Sequence, residues 1–304
     1  MASLSRRWRG YGQSMAWRSI ADLLGNDGEV ALIGAPMEAG SVTPGRCDLA
    51  PETVRRTLKR VSTYDLETGV DLDVLRVRDR GDVPVRGLSP AAGFGAIRDA
   101  VSAACAEHPV TLLVGGNNAV TRPAAHGLNL PLDKVGLITL DAHFDMRETD
   151  EGPMNGNPVR CLLEDGLPGR NIVQIGLAPF ANTAKMHEDA LAAGNGYFGI
   201  FEVLEDGIEP ILDDALARLG HVEAILVDFD IDVIDRAQMP AAPGARPGGM
   251  PAHMFFEAAR ILAMHPQVKL VDLTEFDPSL DVSDIGALTA ARWMAEVLMG
   301  YAMR

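Results

Sequence analysis

The chain has 304 residues, of which 47% are hydrophobic and 23% are charged, as in ordinary globular proteins. Its formal net charge of −15 argues against nucleic acid or an anionic membrane as a partner, because both are negatively charged. No apolar stretch approaches the length of a membrane span. Three widely spaced cysteines, Cys47, Cys105 and Cys161, favour free thiols and a cytoplasmic location.

The first 25 residues are expected to form an N-terminal arm, and residues 26–304 a single domain. The arm contains arginines and Trp8, Tyr11 and Trp17, but no continuous apolar segment of the kind found in a secretory signal. It can pack on its own domain or reach a neighbouring subunit. We find no repeat, low-complexity segment or linker that divides the remaining residues.

Short apolar runs alternate with longer amphipathic stretches along the domain. The predicted strands are 30–33, 110–114, 135–140, 172–175, 224–229 and 268–273. The predicted helices are 51–61, 91–107, 158–165, 183–193, 207–219, 252–264 and 285–303. This alternation indicates βαβ units and a mainly parallel sheet. Continuous apolar strands indicate that helices cover both faces of the sheet, so the sequence predicts an α/β protein.

Potential metal ligands follow two of the predicted strands. The strand at 135–140 runs into Asp141, His143 and Asp145, and the strand at 224–229 runs into Asp230 and Asp232. An isolated aspartate after a strand is more often a helix cap or a loop hydrogen-bonder. Two clusters at the carboxyl ends of parallel strands, with alternate side chains facing one side, predict a shared cavity. Crowded carboxylates repel unless a cation neutralises them, so the sequence indicates a metal site.

The type and number of these groups favour two metal ions. One imidazole with four carboxylates suits Mn²⁺, Ni²⁺ or Zn²⁺. Because four carboxylates would over-neutralise one cation, two ions that share bridging carboxylates fit better, and such pairs activate water near neutral pH. Two further polar segments, Gly-Gly-Asn-Asn at 115–118 and Thr-Glu at 274–275, follow strands that end at the same predicted edge.

These motifs together resemble those of the ureohydrolase family, which includes arginases, agmatinases, guanidinobutyrases and formiminoglutamases. The resemblance rests on Asp-Ala-His-Phe-Asp at 141–145 and Asp-Phe-Asp-Ile-Asp-Val-Ile-Asp at 228–235, and it extends over nearly the whole chain. It implies an arginase-like three-layer α/β/α sandwich with a mainly parallel sheet. It also implies a binuclear Mn²⁺ cluster (Ni²⁺ in some relatives), hydrolysis of an amidine C–N bond, and assembly as trimers or hexamers.

The resemblance also implies a role for each residue of the site. Asp141 and Asp230 would bridge the two ions and act in catalysis. His143 and Asp232 would complete the ligands of one ion, and Asp145 would serve the other. Glu275 falls where the family places a glutamate that receives the substrate's guanidinium, and carboxylates pair with guanidinium groups through both oxygens.

The chain departs from the family pattern at two positions. Asn118 stands in place of a histidine ligand of the ion held by Asp145, and its amide oxygen is a poorer donor, so that metal site is expected to be weak or vacant. Asn155 stands where arginases and agmatinases have a proton-transferring histidine, and an amide cannot transfer protons. Formiminoglutamase-like members also lack that histidine. Another acid, such as a metal-bound water or Asp277, would then be needed.

Three residues near the site have alternative interpretations. Arg160 and Arg147 can recognise a substrate carboxylate, or they can be ordinary exposed loop arginines. Asp228 replaces the family's usual serine, and it either adds a carboxylate to the cluster or faces away and caps a helix. The candidate substrate-binding residues are therefore Glu275, Asn155 and Arg160.

We expect a metal-dependent hydrolase of linear amidines that acts on a guanidino, formimino or biguanide-like group and releases urea or an amide plus an amine. The alternative is a catalytically weakened subunit that supports an active sister subunit in a hetero-oligomer, and Asn118 with Asn155 motivates it. A nucleotide-binding domain fits poorly, because Gly115-Gly116 is not part of a GxGxxG motif. Metal content and activity of the chain alone separate the first two hypotheses.

Overall fold

The structure is a computed structural model, and it describes residues 17–304. Trp8 and Tyr11 of the predicted arm lie outside the described residues. Within residues 17–25, the side chains of Ile20 and Leu23 are buried, and the Ile20 N–H donates to the Val61 carbonyl at 2.9 Å. This part of the sequence therefore packs on the domain.

Across residues 17–304 the strands and helices alternate as the sequence predicts. The strands are β1 (Leu24–Gly25), β2 (Val30–Ala35), β3 (Val77–Asp82), β4 (Val110–Gly115), β5 (Val135–Leu140), β6 (Ile172–Leu177), β7 (Gly196–Gly199), β8 (Ala224–Asp230) and β9 (Val268–Thr274). The α-helices are α1 (Ala50–Thr57), α2 (Pro90–Glu107), α3 (Thr121–Gly127), α4 (Pro158–Asp165), α5 (Ala184–Ala193), α6 (Ile200–Asp206), α7 (Ile208–Arg218), α8 (Ala252–Met264) and α9 (Ile285–Ala302). The six predicted strands correspond to β2, β4, β5, β6, β8 and β9.

Capping residues fix several helix ends. The Ser89 side chain accepts from the Ala92 N–H at the start of α2, and Thr183 caps α5 in the same way. Gly166 and Gly194 end α4 and α5 in the left-handed conformation, with φ of 106° and 89°. These local signals explain why the predicted ends of α4 and α5 agree closely with the structure.

All strands of the sheet pair in parallel, in the order β1-β3-β2-β4-β9-β8-β5-β6-β7. The sheet has two covered faces. Alternate residues of β2 point to opposite sides, so Val30 and Leu32 join a core with α1 and α6 to α9, while Ala31 and Ile33 join a core with α2 to α5. The predicted three-layer α/β/α sandwich is confirmed.

The topology brings four strands that carry the motifs to the centre of the sheet. β4, β9, β8 and β5 are neighbours in that order, and all run in the same direction. Their carboxyl ends therefore meet at one edge, where open parallel sheets bind ligands. No helix in the described part of the chain is both long and apolar enough to cross a membrane.

Candidate metal centre

The residues that follow β5 and β8 form a compact acidic cluster. The His143 Nδ1 atom lies 3.2 Å from Asp141 Oδ1 and 3.1 Å from Asp232 Oδ2. One ligand atom from each of these three residues lies within 4.8 Å of the others, as a shared metal ion requires. Asp141 and Asp232 are buried, and half-buried His143 faces the cavity.

Turns rather than extended backbone direct these side chains. Asp145 adopts a left-handed φ of 53°, and Asp232 lies in the 3₁₀-helix Ile231–Val233, where its N–H donates to Asp230 Oδ1 at 2.9 Å. The prediction that alternate residues on an extended segment share one side is therefore wrong in its geometry. His143, Asp145, Asp230 and Asp232 nevertheless line the same cavity.

Asn118 bridges two of the carboxylates with its amide nitrogen. Nδ2 donates to Asp145 Oδ2 at 2.8 Å and lies 3.3 Å from Asp230 Oδ2. The amide oxygen accepts from the Thr121 hydroxyl at 2.6 Å. A neutral amide nitrogen is not a metal ligand, so this orientation opposes the predicted ligand role of Asn118.

Burial makes the cluster electrostatically unfavourable without a cation. Burial, with Asp232 next in importance, raises the pKa of Asp141 to about 8. Burial also raises the pKa of Asp145 and Asp230 well above the ordinary value. The charge of Asp232 raises the pKa of His143 to about 12, and His143 in turn lowers the pKa of Asp232 despite its burial. At neutral pH this cluster therefore retains protons that a metal ion would displace.

The donor set and the space around it fit divalent metal ions. Imidazole and carboxylate ligands suit first-row divalent metals such as Mn²⁺. The loop after β8 approaches the cluster closely at Gly244, where a Cβ atom would lie 1.9 Å from Asp232 Oδ2 and 3.1 Å from His143 Cε1. A larger residue at position 244 would displace the Asp232 carboxylate, so this glycine lets the loop approach the cluster closely.

Glu275 lies beside the cluster at the end of β9. Its backbone has a left-handed φ of 61°, and its N–H donates to the Gly116 carbonyl at 3.0 Å. Its Oε1 atom accepts from the Asn118 N–H at 2.7 Å and from Asn155 Nδ2 at 3.0 Å. Burial raises the pKa of Glu275 to about 7. The structure thus brings Glu275, Asn155 and the predicted metal ligands together.

The cavity also has a basic rim. Arg147 and Arg246 line it, both are exposed, and neither has a carboxylate partner within 4.0 Å among residues 17–304. Arg160 is held elsewhere, because its Nη2 contacts Asp189 Oδ2 at 2.5 Å and Met146 O at 2.9 Å, and it is absent from the cavity lining. The predicted substrate-binding role of Arg160 is opposed by this placement, and sequence reasoning missed Arg246.

Two other aspartates serve structure below and beside the site. Asp228 is buried, its Oδ1 atom accepts from the Thr274 hydroxyl at 3.3 Å, and it neither joins the cavity lining nor caps a helix. Asp277 accepts from the N–H groups of Ser279 and Arg46 at 2.8 and 2.9 Å. It too is absent from the cavity lining, so it is not placed to protonate a leaving amine there.

Comparisons with known proteins identify the family and the fold of this chain. A model of the arginase family matches residues 28–300. Formimidoylglutamase of Halalkalibacterium halodurans is 31% identical over 274 residues, which cover 88% of this chain and 86% of that protein. The crystal structure of formimidoylglutamase from Bacillus subtilis has a TM-score of 0.89 at 27% identity, and the match covers 98% of this chain and 96% of that one.

A Trypanosoma cruzi formiminoglutamase crystallised with Mn²⁺ has the same fold. Its TM-score is 0.85 at 24% identity, and the match covers 91% of this chain and 94% of that one. The arginase-family match over residues 28–300 confirms the family predicted from the two aspartate motifs. The chain belongs to the arginase family and is a hydrolase of C–N bonds, other than peptide bonds, in linear amidines.

Proposed function

We propose that this chain hydrolyses the formimino group of an amino acid that carries carboxylates, with N-formimino-L-glutamate as its substrate. The observation that carries the proposal is the charge arrangement of one cavity. Its floor holds the carboxylate cluster with Glu275, and its rim holds Arg147 and Arg246 without carboxylate partners in the described part of the chain. A substrate with a cationic amidine at one end and carboxylates at the other matches the acidic floor and the basic rim of the cavity.

The similarity to formimidoylglutamases supports the same substrate. Agmatine fits the cavity less well, since its second cationic group would approach the two arginines. A guanidino acid would satisfy the basic rim, so the rim alone does not separate formimino from guanidino substrates.

Five residues would hold two divalent ions: Asp141, His143, Asp145, Asp230 and Asp232. We propose Mn²⁺ as the physiological metal, supported by the manganese in the T. cruzi protein, with Ni²⁺ as the alternative. When bound, such ions lower the pKa of water enough to make it a nucleophile near neutral pH. Because the Asn118 amide nitrogen faces two of these carboxylates, we propose weaker binding at the position served by Asp145.

The reaction adds the oxygen of water to the amidine carbon and breaks the bond from that carbon to the amino-acid nitrogen. The products are formamide and glutamate, and the leaving nitrogen gains a proton that the water loses. Asp145 is a carboxylate that lines the cavity beside the other proposed metal ligands, so we propose that it accepts this proton and returns it to the leaving nitrogen. Glu275 would hold the cationic amidine in place.

A substrate panel tests the proposal. The purified chain, loaded with Mn²⁺, is given N-formimino-L-glutamate, 4-guanidinobutyrate and agmatine, and formamide and urea are measured. We expect formamide from the first compound, with a kcat/KM at least about 100-fold above that for agmatine. The reason is that agmatine has an ammonium group where N-formimino-L-glutamate has carboxylates, so attraction to the rim arginines becomes repulsion. Agmatine turnover equal to that of N-formimino-L-glutamate would contradict the proposal.

The alternative function, a weakened subunit of a hetero-oligomer, gains no support from the comparisons. Formamide release by the chain alone would argue directly against it. A trimeric or hexameric assembly and a cytoplasmic location remain predictions, which gel filtration and cell fractionation can check.

A further inference from the structure

The two oxygens of Glu275 are in different environments. Oε1 accepts two hydrogen bonds, from the Asn118 N–H at 2.7 Å and from Asn155 Nδ2 at 3.0 Å. Among the residues that the structure describes, no donor contacts Oε2. Because a carboxylate oxygen has two lone pairs for hydrogen bonding, Oε1 is filled and Oε2 alone is free for a substrate.

The direction of the Asn155 amide is fixed by backbone groups. Its Oδ1 accepts from the Val42 N–H at 2.8 Å, and a backbone N–H can only donate. The amide oxygen must therefore face Val42, which leaves the NH₂ group facing Glu275. The Asn155 N–H also donates to the Gly40 carbonyl at 3.0 Å. Asn155 is thus held as a bridge between the loop after β2 and the carboxylate of Glu275.

We propose that Asn155 is a specificity-determining residue that restricts Glu275 to one free acceptor oxygen, so that the site selects formimino over guanidino groups. A substituted formamidinium ion has a C–H where guanidinium has another NH₂ group, and so it presents fewer N–H donors. A buried donor without an acceptor is unfavourable. A site with few free acceptors therefore discriminates against the guanidinium ion.

This inference rests on the proposed function, because it assumes that Glu275 receives the amidine. It also modifies the expectation from the sequence that Glu275 pairs with a guanidinium through both oxygens. With Oε1 filled by Asn118 and Asn155, only one strong contact to the substrate remains available. The asparagine that replaces the family's proton-transferring histidine thereby acquires a role of its own.

The test compares Asn155→Ala with a control variant on the loop after β2, which Asn155 contacts. Ser41→Ala removes the Ser41 hydroxyl, which donates to Glu38 O at 2.8 Å and accepts from Asn117 Nδ2 at 2.7 Å, without touching Asn155 or Glu275. The measured quantity is the ratio of kcat/KM for N-formimino-L-glutamate to that for its guanidino analogue, N-amidino-L-glutamate. We expect Asn155→Ala to lower this ratio about tenfold, the size of one buried hydrogen bond, and Ser41→Ala to leave it unchanged.

A second measurement does not depend on turnover. Calorimetry of formamidinium and guanidinium ions with the manganese-loaded protein gives the ratio of their dissociation constants. In Asn155→Ala, but not in Ser41→Ala, this ratio should change in favour of guanidinium binding. If both ratios stay unchanged in Asn155→Ala, or shift equally in Ser41→Ala, the inference is overturned. If the wild-type chain hydrolyses neither glutamate derivative, the proposed function fails, and the ratio of dissociation constants still decides this inference.

Discussion

The metal-free protein should lose stability as the pH rises from 5 to 7. Burial and Asp232 raise the pKa of Asp141 to about 8, whereas an unfolded aspartate titrates near about 3.9. Between these values the folded chain keeps a proton that the unfolded chain has lost, so the free energy of unfolding falls with pH. Each pH unit changes the free energy of unfolding by about 1.4 kcal/mol per proton, so Asp141 alone should lower it by roughly 3 kcal/mol between pH 5 and 7.

Other groups of the site do not reverse this trend. Burial raises the pKa of Glu275 to about 7, so it acts in the same direction. His143, with a pKa raised to about 12 chiefly by Asp232, contributes stability that is complete below about 6.5 and is lost as the pH rises further. Asp232 has a lowered pKa, so its own contribution is lost only at pH values below this range.

Urea unfolding at pH 5, 6 and 7, with EDTA or with saturating Mn²⁺, measures the effect. In the metal-loaded protein the free energy of unfolding should instead rise with pH, because protons compete with the metal for the same groups. Asp141→Asn should reduce the pH dependence of the free energy of unfolding in the metal-free protein. Asp213→Asn changes an exposed carboxylate of α7 and should leave that pH dependence unchanged. A metal-free stability that is constant or rises from pH 5 to 7 would refute the reasoning.

Three further substitutions probe separate parts of the molecule. His143→Asn removes the imidazole of the cluster. It should lower the amount of Mn²⁺ bound per chain and should lower kcat/KM by at least about 100-fold. An unchanged metal content would contradict the role of His143 as a ligand. Arg147→Ala should raise KM for N-formimino-L-glutamate about 10- to 100-fold at constant metal content, whereas Arg160→Ala should not. Asp165→Asn removes the negative charge that pairs with Arg122 and His126 at 2.7 and 2.9 Å. It should lower the free energy of unfolding in urea by about 1–3 kcal/mol and leave kcat unchanged.

The sequence reveals those strands that are apolar on both faces and misses the others. β3 lies between β1 and β2, but its residues, Val-Arg-Asp-Arg-Gly-Asp, are mostly charged and partly exposed. β7 is a four-residue edge strand with two glycines. Neither has the apolar run on which the prediction depends, and pairing with a neighbouring strand determines their conformation.

The same limit applies to the candidate site. Asp141, His143 and Asp230 are predictable because they lie at or just after the ends of apolar strands at the centre of the sheet. The contacts of Glu275 are not, since they depend on a backbone N–H, a left-handed φ and a loop 120 residues away in the chain. Arg246 likewise reaches the cavity through a loop whose path no local pattern specifies.

Contacts between side chains of neighbouring strands also cannot be predicted from a single sequence. Buried Asp272 of β9 lies opposite Asp228 of β8, and its Oδ2 atom accepts from the Thr121 hydroxyl at 3.1 Å. Burial and Asp228 raise the pKa of Asp272 well above the ordinary value. Only the register of the two strands shows that these carboxyl groups are neighbours beneath the site.

The most direct test of the two-metal site is an anomalous-scattering map from crystals grown with Mn²⁺. The proposed arrangement predicts a strong manganese peak among Asp141, His143 and Asp232, and a second, weaker peak beside Asp145 and Asp230. Crystals saturated with Mn²⁺ that show no anomalous peak among these side chains would contradict it.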